Sequence, residues 1–382
     1  MTVTDRDINW GEGATEFTGE FGGQPSTDSV SGQPLGVAVA TESELPFMTA
    51  AAVAQAAPEK VDWIIPGFVA PGVITEIDGK LKSSGKTTFI GAMTKAIVTG
   101  GCFLNRQTKQ ARVVWLTEER AQTFGETLRR AGIDTRTDIH VLHWHSVKHL
   151  RWPILMSRVA DYAMAIEAKV VIVDTISQWA GLRGDAENNN GSQMEAAAPL
   201  QDAAAKGLAI GVARHERKGG GEVGESGRGG SAFSGAVDVV VSIRRGEGKT
   251  KPTVRVLQAL SRFSETPSDL VIDLTSDGYV VLGDTASVAT LEAEQALIDR
   301  LPTNQTDAAD LEALRVAEPV IAKTSAKTAM ARLYDSGKAR RIGSGKRGDA
   351  YRYFLPVKDS VATQTYRSDQ QPETWGSDAN RV

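Results

Sequence analysis

The chain has 382 residues, with 43 Lys and Arg against 47 Asp and Glu and a net charge of −4. Apolar residues make up 41% and charged residues 24%, which excludes collagen-like and disulfide-scaffold classes and leaves length for two domains plus tails. The single cysteine, Cys102, excludes an intrachain disulfide, no apolar run approaches the roughly 20 residues of a membrane span, and no basic-then-apolar leader is visible, so a reducing, cytoplasmic setting without membrane contact is expected.

Residues 1–45 are rich in Gly, Ser, Thr, Asp and Glu without periodicity and read as a disordered acidic tail. Residues 1–57 hold eight acidic side chains and one basic one, Arg6. Met48 to Ala57 is alanine-rich and fits a short helix. Val73 to Ile77 reads as an apolar strand, and Thr88 to Val98 as a helix. Between them runs Gly79-Lys80-Leu81-Lys82-Ser83-Ser84-Gly85-Lys86-Thr87-Thr88. A strand, a glycine-containing turn, Gly-Lys-Thr and a helix make a phosphate-binding loop: backbone N–H groups converge on the phosphates, Lys86 adds a point charge, and the Thr87 hydroxyl is placed to ligate Mg²⁺. The usual spacing puts the first glycine at position 80, where this chain has Lys80. Either the turn has one extra residue, or Lys80 takes the first-glycine position.

Val113 to Leu116, Val170 to Val173 and Leu208 to Ala213 read as buried strands separated by helices, notably Ile154 to Ala168 and Gln193 to Lys206. Strands alternating with helices imply right-handed crossovers and a parallel sheet, the α/β class. Asp174 ends the second of these strands, where it would hold Mg²⁺ from the side opposite Thr87. Glu118, with Glu119 second, lies just off the end of another, where a carboxylate can position and polarise an attacking water. His215 ends the third, close to a γ-phosphate. A glycine-rich stretch follows, Gly219 to Gly230, and Lys218 just before it and Arg228 within it suit a loop that touches DNA. Four short strands from Val237 to Leu282 read as an antiparallel meander.

These pieces, Gly85-Lys86-Thr87-Thr88, Trp115-Leu116-Thr117-Glu118-Glu119, Val173-Asp174-Thr175, His215 with Lys218, and Arg228-Gly229-Gly230-Ser231-Ala232, resemble the RecA-like hexameric ATPases of the plasmid RepA helicase type, relatives of the DnaB-type replicative helicases. The resemblance spans about Trp63 to Leu282. It implies a RecA-like P-loop NTPase core, ATP as the nucleotide, and a homo-oligomeric ring, a hexamer, on single-stranded DNA. It also implies an arginine supplied by the neighbouring subunit. Arg262, in Ala259-Leu260-Ser261-Arg262-Phe263, matches that segment; Arg244, Arg245 and Arg228 are the alternatives. Two other readings fit the same core: a filament-forming recombination or repair ATPase, and a nucleotide-switched DNA-binding regulator or helicase loader.

The expected organisation is an ATPase domain over 46–283, a linker over 284–290, a winged helix-turn-helix over 291–356 and a polar tail over 357–382. In the small domain three helices precede a hairpin with the basic tip Gly343 to Gly348. Lys323 to Phe354 holds nine basic and two acidic residues, a one-sided charge that suits a polyanion. On the third helix Lys323, Ser325, Lys327 and Arg332 are candidate base or phosphate contacts. Lys346 and Arg347 on the wing are candidate phosphate contacts. His140, His143, His145 and His149 cluster without the cysteine or carboxylate partners of a zinc pattern. Trp63, Trp115 and Trp179 flank strands and are expected in the core, as is Cys102 as a small buried residue.

Overall fold

The computed structural model describes residues 47–56, 58–80, 84–216, 223, 232–246 and 251–356. Lys82, Ser83, Lys218 and Arg228 therefore lie outside the described residues, as do the expected tails over 1–45 and 357–382. The chain divides into Met1–Glu59 and Lys60–Val382. In the first, helix α1 (Ala50–Ala56) buries none of its residues.

The second unit is built on a nine-stranded sheet. In chain order it runs β1 (Ile74–Gly79), α2 (Lys86–Thr99), a small hairpin of β2 (Cys102–Phe103) and β3 (Arg106–Gln107), β4 (Val113–Thr117), α3 (Ala121–Ala131), β5 (Ile139–His143), α4 (Trp144–Val147), α5 (Trp152–Ala165), β6 (Val170–Asp174), α6 (Ile176–Trp179), a 3₁₀ turn η1 (Gly184–Asn188), α7 (Asn190–Ala205), β7 (Ala209–His215), α8 (Ala232–Gly235), β8 (Val239–Arg245), β9 (Val254–Ser261), β10 (Asp269–Thr275) and β11 (Gly278–Gly283). Spatially the order is β11-β10-β9-β8-β1-β7-β6-β4-β5. Strands β8, β1, β7, β6, β4 and β5 pair in parallel, and β9, β10 and β11 extend the sheet antiparallel. This is the expected α/β arrangement, a parallel sheet extended by an antiparallel meander.

Apolar runs buried on both faces explain β4 and β6, and every residue of β1 is buried as well, its polar Thr75, Glu76 and Asp78 included. One face packs on α2 and α3 through Phe89, Ile90, Met93, Ile97 and Phe124, with Trp63 and Trp115. The other packs on α5 and α7 through Leu155, Met156, Val159, Ala197 and Leu200, with Trp179. Cys102 departs from expectation. It is exposed on the hairpin, where its thiol donates to Gln107 Oε1 at 3.4 Å.

The segment expected as a linker, 284–290, is helical. Helix α9 (Thr285–Arg300) begins there, with the Asp284 carboxylate accepting from Ser287 N at 2.7 Å as its N-cap. It continues into a helix η2 (Gln305–Asp307), β12 (Ala309–Asp310), α10 (Leu311–Val316), α11 (Lys323–Asp335), β13 (Arg340–Ile342) and β14 (Arg352–Phe354). The last three strands form a sheet ordered β12-β14-β13. Leu297, Leu301, Leu314, Ala326, Met330 and Leu333 give this part a core of its own. Among the described residues, no helix is long and apolar enough to cross a membrane.

Candidate active site

The loop between β1 and α2 is built around two glycines. A Cβ on Gly79 would lie 2.6 Å from Ser84 Oγ and 2.7 Å from the Ile243 carbonyl oxygen, so only glycine lets the loop fold back there. Gly85 adopts the left-handed conformation at φ +86°, immediately before α2. The glycine one place early thus has a definite steric role. Gly79→Ala is expected to weaken nucleotide binding by about tenfold or more through loop strain, measurable by titration calorimetry.

Lys86 is the first residue of α2 and is buried. Its ammonium donates to the carbonyls of Gly79 at 2.7 Å and Lys80 at 3.3 Å. The Ser84 hydroxyl donates to Lys80 O at 3.0 Å. Burial lowers the Lys86 pKa, while the carboxylates of Asp174, Asp78, Glu216 and Glu118 act to raise it. From the meander, Arg255 Nε donates to Ser84 O at 2.8 Å and pins the loop from outside.

Topology brings the remaining groups in. β7 lies between β1 and β6, with Gly79 opposite His215, and β6 pairs with β4, with Asp174 opposite Thr117. Asp174 and Glu118 therefore emerge side by side: Glu118 N donates to Asp174 O at 2.9 Å, and Thr175 Oγ1 donates to Glu118 Oε2 at 3.1 Å. Helix α3 begins at Ala121, with Arg120 as its N-cap, so Glu118 and Glu119 lie in the turn just before it. The Glu119 carbonyl accepts from His143 Nδ1 at 2.9 Å, which anchors this turn to β5.

Asp174 is buried, and the Thr87 hydroxyl near it acts to lower its pKa. Burial, reinforced by the negative charges of Glu118 and Glu119, pushes its pKa up to about 7, against the opposing pull of Lys86. Burial also raises the Glu118 pKa. A hydroxyl and a carboxylate lining one cavity with surplus negative charge form an all-oxygen donor set that fits Mg²⁺. The sign of the pH effect follows. An acid whose folded pKa exceeds its unfolded value of 3.8 leaves the folded chain holding the extra proton between those values. The protein without nucleotide is then expected to lose stability as pH rises from about 4 to about 7, while affinity for Mg·nucleotide rises through about pH 7. Melting temperatures across that window check this, with Asp174→Asn expected to flatten the slope.

Lys80, Ser84, Gly85, Lys86, Thr87, Thr88, Glu118, Glu119, Asp174 and His215 line one cavity of about 440 Å³. Thr123, Thr127, Arg130 and Thr175 complete its wall and were not singled out from the sequence. A second cavity of about 290 Å³ continues past Thr87, Thr88, Thr127 and Arg130 toward Lys95, Phe103 and Tyr279. The expected arginine of a shared site is elsewhere in this chain: Arg262 is 65% exposed and bonds Asp238 Oδ1 at 3.2 Å. Arg244 pairs with buried Glu216 at 3.1 Å, and with Arg245 it lines a different cavity, against α9.

In the C-terminal part, Lys323 and Lys327 lie four residues apart on one side of α11, and with Tyr351 and Tyr353 they line a cavity of about 440 Å³. Arg332 is not on that side. Five residues on from Lys327 it has turned by about 140°, and its guanidinium lies 3.6 Å from Glu294 of α9. Ser325 is half-buried. Lys346 and Arg347 are exposed at the hairpin tip. The hairpin is fixed by the Arg341 guanidinium, stacked between the rings of Tyr334 at 4.1 Å and Tyr351 at 4.0 Å.

The AAA domain family model matches residues 40–221, just under half of the chain. That stretch carries the loop, Glu118, Asp174 and His215, and the match supports a P-loop ATPase. No curated protein matches the chain. Among solved structures, a KaiC-like protein from the hyperthermophilic archaeon Pyrococcus horikoshii is similar at 14% identity and a TM-score of 0.45, over 58% of this chain and 99% of that one.

Proposed function

We propose that this chain is a Mg²⁺-dependent ATPase that couples hydrolysis to movement along, or unwinding of, DNA in replication, in the manner of RepA-type ring helicases. The observation that carries the ATPase reading is the convergence of Lys86, Thr87, Asp174, Glu118 and His215 on one cavity from four adjacent strands. The loop and Lys86 hold the triphosphate tail. Magnesium, held by Thr87 and Asp174, would offset charge on the phosphate oxygens. Glu118, kept in place by Thr175, orients the attacking water and takes its proton. His215, beside the loop on the inserted strand, reports on the terminal phosphate.

The DNA half of the reading rests on the C-terminal part. Its order of helix, strand, two helices and a hairpin supports the winged helix-turn-helix reading, and its excess of basic residues suits a polyanion. Lys323, Lys327, Lys346 and Arg347 are the proposed contacts. A ring, hexameric and cytoplasmic, would let Arg262 exchange Asp238 for the phosphates of a neighbour. Arg262→Ala is expected to be inactive alone and to regain turnover when mixed with subunits carrying Glu118→Gln. Absence of rescue at every mixing ratio counts against a shared site. ATPase rates with and without single-stranded DNA, beside a forked-duplex unwinding assay, test the DNA half. Stimulated turnover without strand separation would favour a loader or regulator.

A further inference from the structure

Beneath the phosphate loop, on the face of the sheet covered by α7, the core is charged where an apolar layer would serve folding as well. Glu76 of β1 and Arg214 of β7 are 0% and 1% exposed. Arg214 Nη1 donates to Glu76 Oε1 at 3.1 Å and Ser234 Oγ at 3.2 Å, and Nη2 donates to Gln193 Oε1 at 3.3 Å. Ser234 Oγ in turn donates to Glu76 Oε2 at 2.8 Å, and the guanidinium lies over the Phe233 ring at 4.9 Å. Gln193 Nε2 donates to Glu187 O at 2.8 Å, which ties η1 to the start of α7.

Removing two charges from water in the middle of a sheet is costly, and well-packed apolar residues commonly match or exceed such a pair in stability. Its connections suggest what the pair does instead. Glu76 stands three residues before Gly79. Arg214 is followed directly by His215, whose side chain projects to the opposite side of the strand, toward the phosphate cavity. The Gly79 carbonyl that receives the Lys86 ammonium also receives Glu216 N at 3.0 Å. Two segments are held at the far ends of the fork: η1 through Gln193, and α8, the first described helix after β7, through Ser234. A planar guanidinium bonded to acceptors on three elements, β1, α7 and α8, cannot shift without moving them together.

We infer that Arg214 is a positioning residue that ties occupancy of the phosphate cavity to the placement of η1 and α8. The inference rests on the nucleotide-binding reading above. Displacement of the end of β7 when His215 meets a triphosphate and Lys86 turns from the Gly79 carbonyl to the phosphates passes through the guanidinium to Gln193 on one side and Ser234 on the other. These two segments would then present nucleotide state to whatever the ATPase acts on.

The test is backbone hydrogen exchange of the full chain over 184–193 and 232–235, with and without Mg²⁺ and a non-hydrolysable ATP analogue, with analogue affinity measured in parallel. In the unsubstituted protein the analogue is expected to slow exchange in both segments by roughly fivefold or more. Glu76→Leu combined with Arg214→Met, which leaves no lone buried charge, is expected to bind the analogue within about twofold of the original affinity and lose both responses. Gln193→Leu is expected to lose the response at 184–193 only, and Ser234→Ala that at 232–235 only. These single variants decide the matter should the double variant not fold, because a merely structural role would not separate the two segments. Responses that persist in the double variant, or single variants that lose both or neither, overturn the inference. So does an unsubstituted protein that binds the analogue with no change in either segment. A protein that does not bind the analogue at all refutes the nucleotide-binding reading, and this inference with it.

Discussion

Lys86→Ala is expected to lower ATP turnover by about 10²- to 10³-fold, the loss typical of removing one preorganised charge from a transition-state site. Three features of the structure set that size. The ammonium is buried, so water does not replace it at the phosphates. It stands among Asp174, Asp78, Glu216 and Glu118, whose mutual repulsion it offsets. It also closes the loop by bonding the Gly79 and Lys80 carbonyls, so its removal loosens the cradle as well as discharging it. The substitution therefore acts on binding and on turnover together. Turnover of the purified variant, with contaminating ATPase excluded by its elution profile, checks this; a rate near that of the unsubstituted protein would refute the site.

Glu118→Gln is expected to separate those two effects. Glutamine keeps the shape and can still accept from Thr175 Oγ1, so nucleotide should bind with unchanged or higher affinity. It cannot take a proton, so turnover should fall by about 10²- to 10⁴-fold. Removing a negative charge beside Asp174 also favours the triphosphate, since Glu118 is one of the charges that disfavour ionisation there. Single-turnover hydrolysis together with nucleotide affinity resolves the two terms. Equal losses in both would reduce Glu118 to a structural residue, and a Glu119→Gln variant would then become the one to examine.

The site residues legible in the sequence were those fixed by local pattern. An apolar run ending in Asp174, or a strand running into Gly-Lys-Thr and a helix, positions its side chains wherever the sheet places the strand. Gly79 was legible as a departure but not as a requirement, because the atoms that demand glycine, Ser84 Oγ and the Ile243 carbonyl, come from the folded loop and from β8. Arg255 was invisible for the same reason. Its reach to Ser84 O depends on how the meander stacks beside β1. Arg130 and Thr127 belong to the cavity only because α3 packs along α2. The segment 284–290 looked like a linker because glycine and small residues precede any apolar periodicity, yet Asp284 is a capping residue and the helix starts there. Arg332 was grouped with Lys323 and Lys327 by charge, where helical phase puts it on another side, against Glu294.

Everything proposed for this chain requires that the cavity between the loop and Asp174 take the triphosphate of a nucleotide with its magnesium. Titration calorimetry of the full chain with an adenine nucleotide at millimolar Mg²⁺ measures that directly. The expected result is a single saturable site per chain whose affinity drops when Asp174 is replaced by asparagine. Absence of binding heat over a range of temperatures, or binding indifferent to both Mg²⁺ and Asp174→Asn, would contradict it.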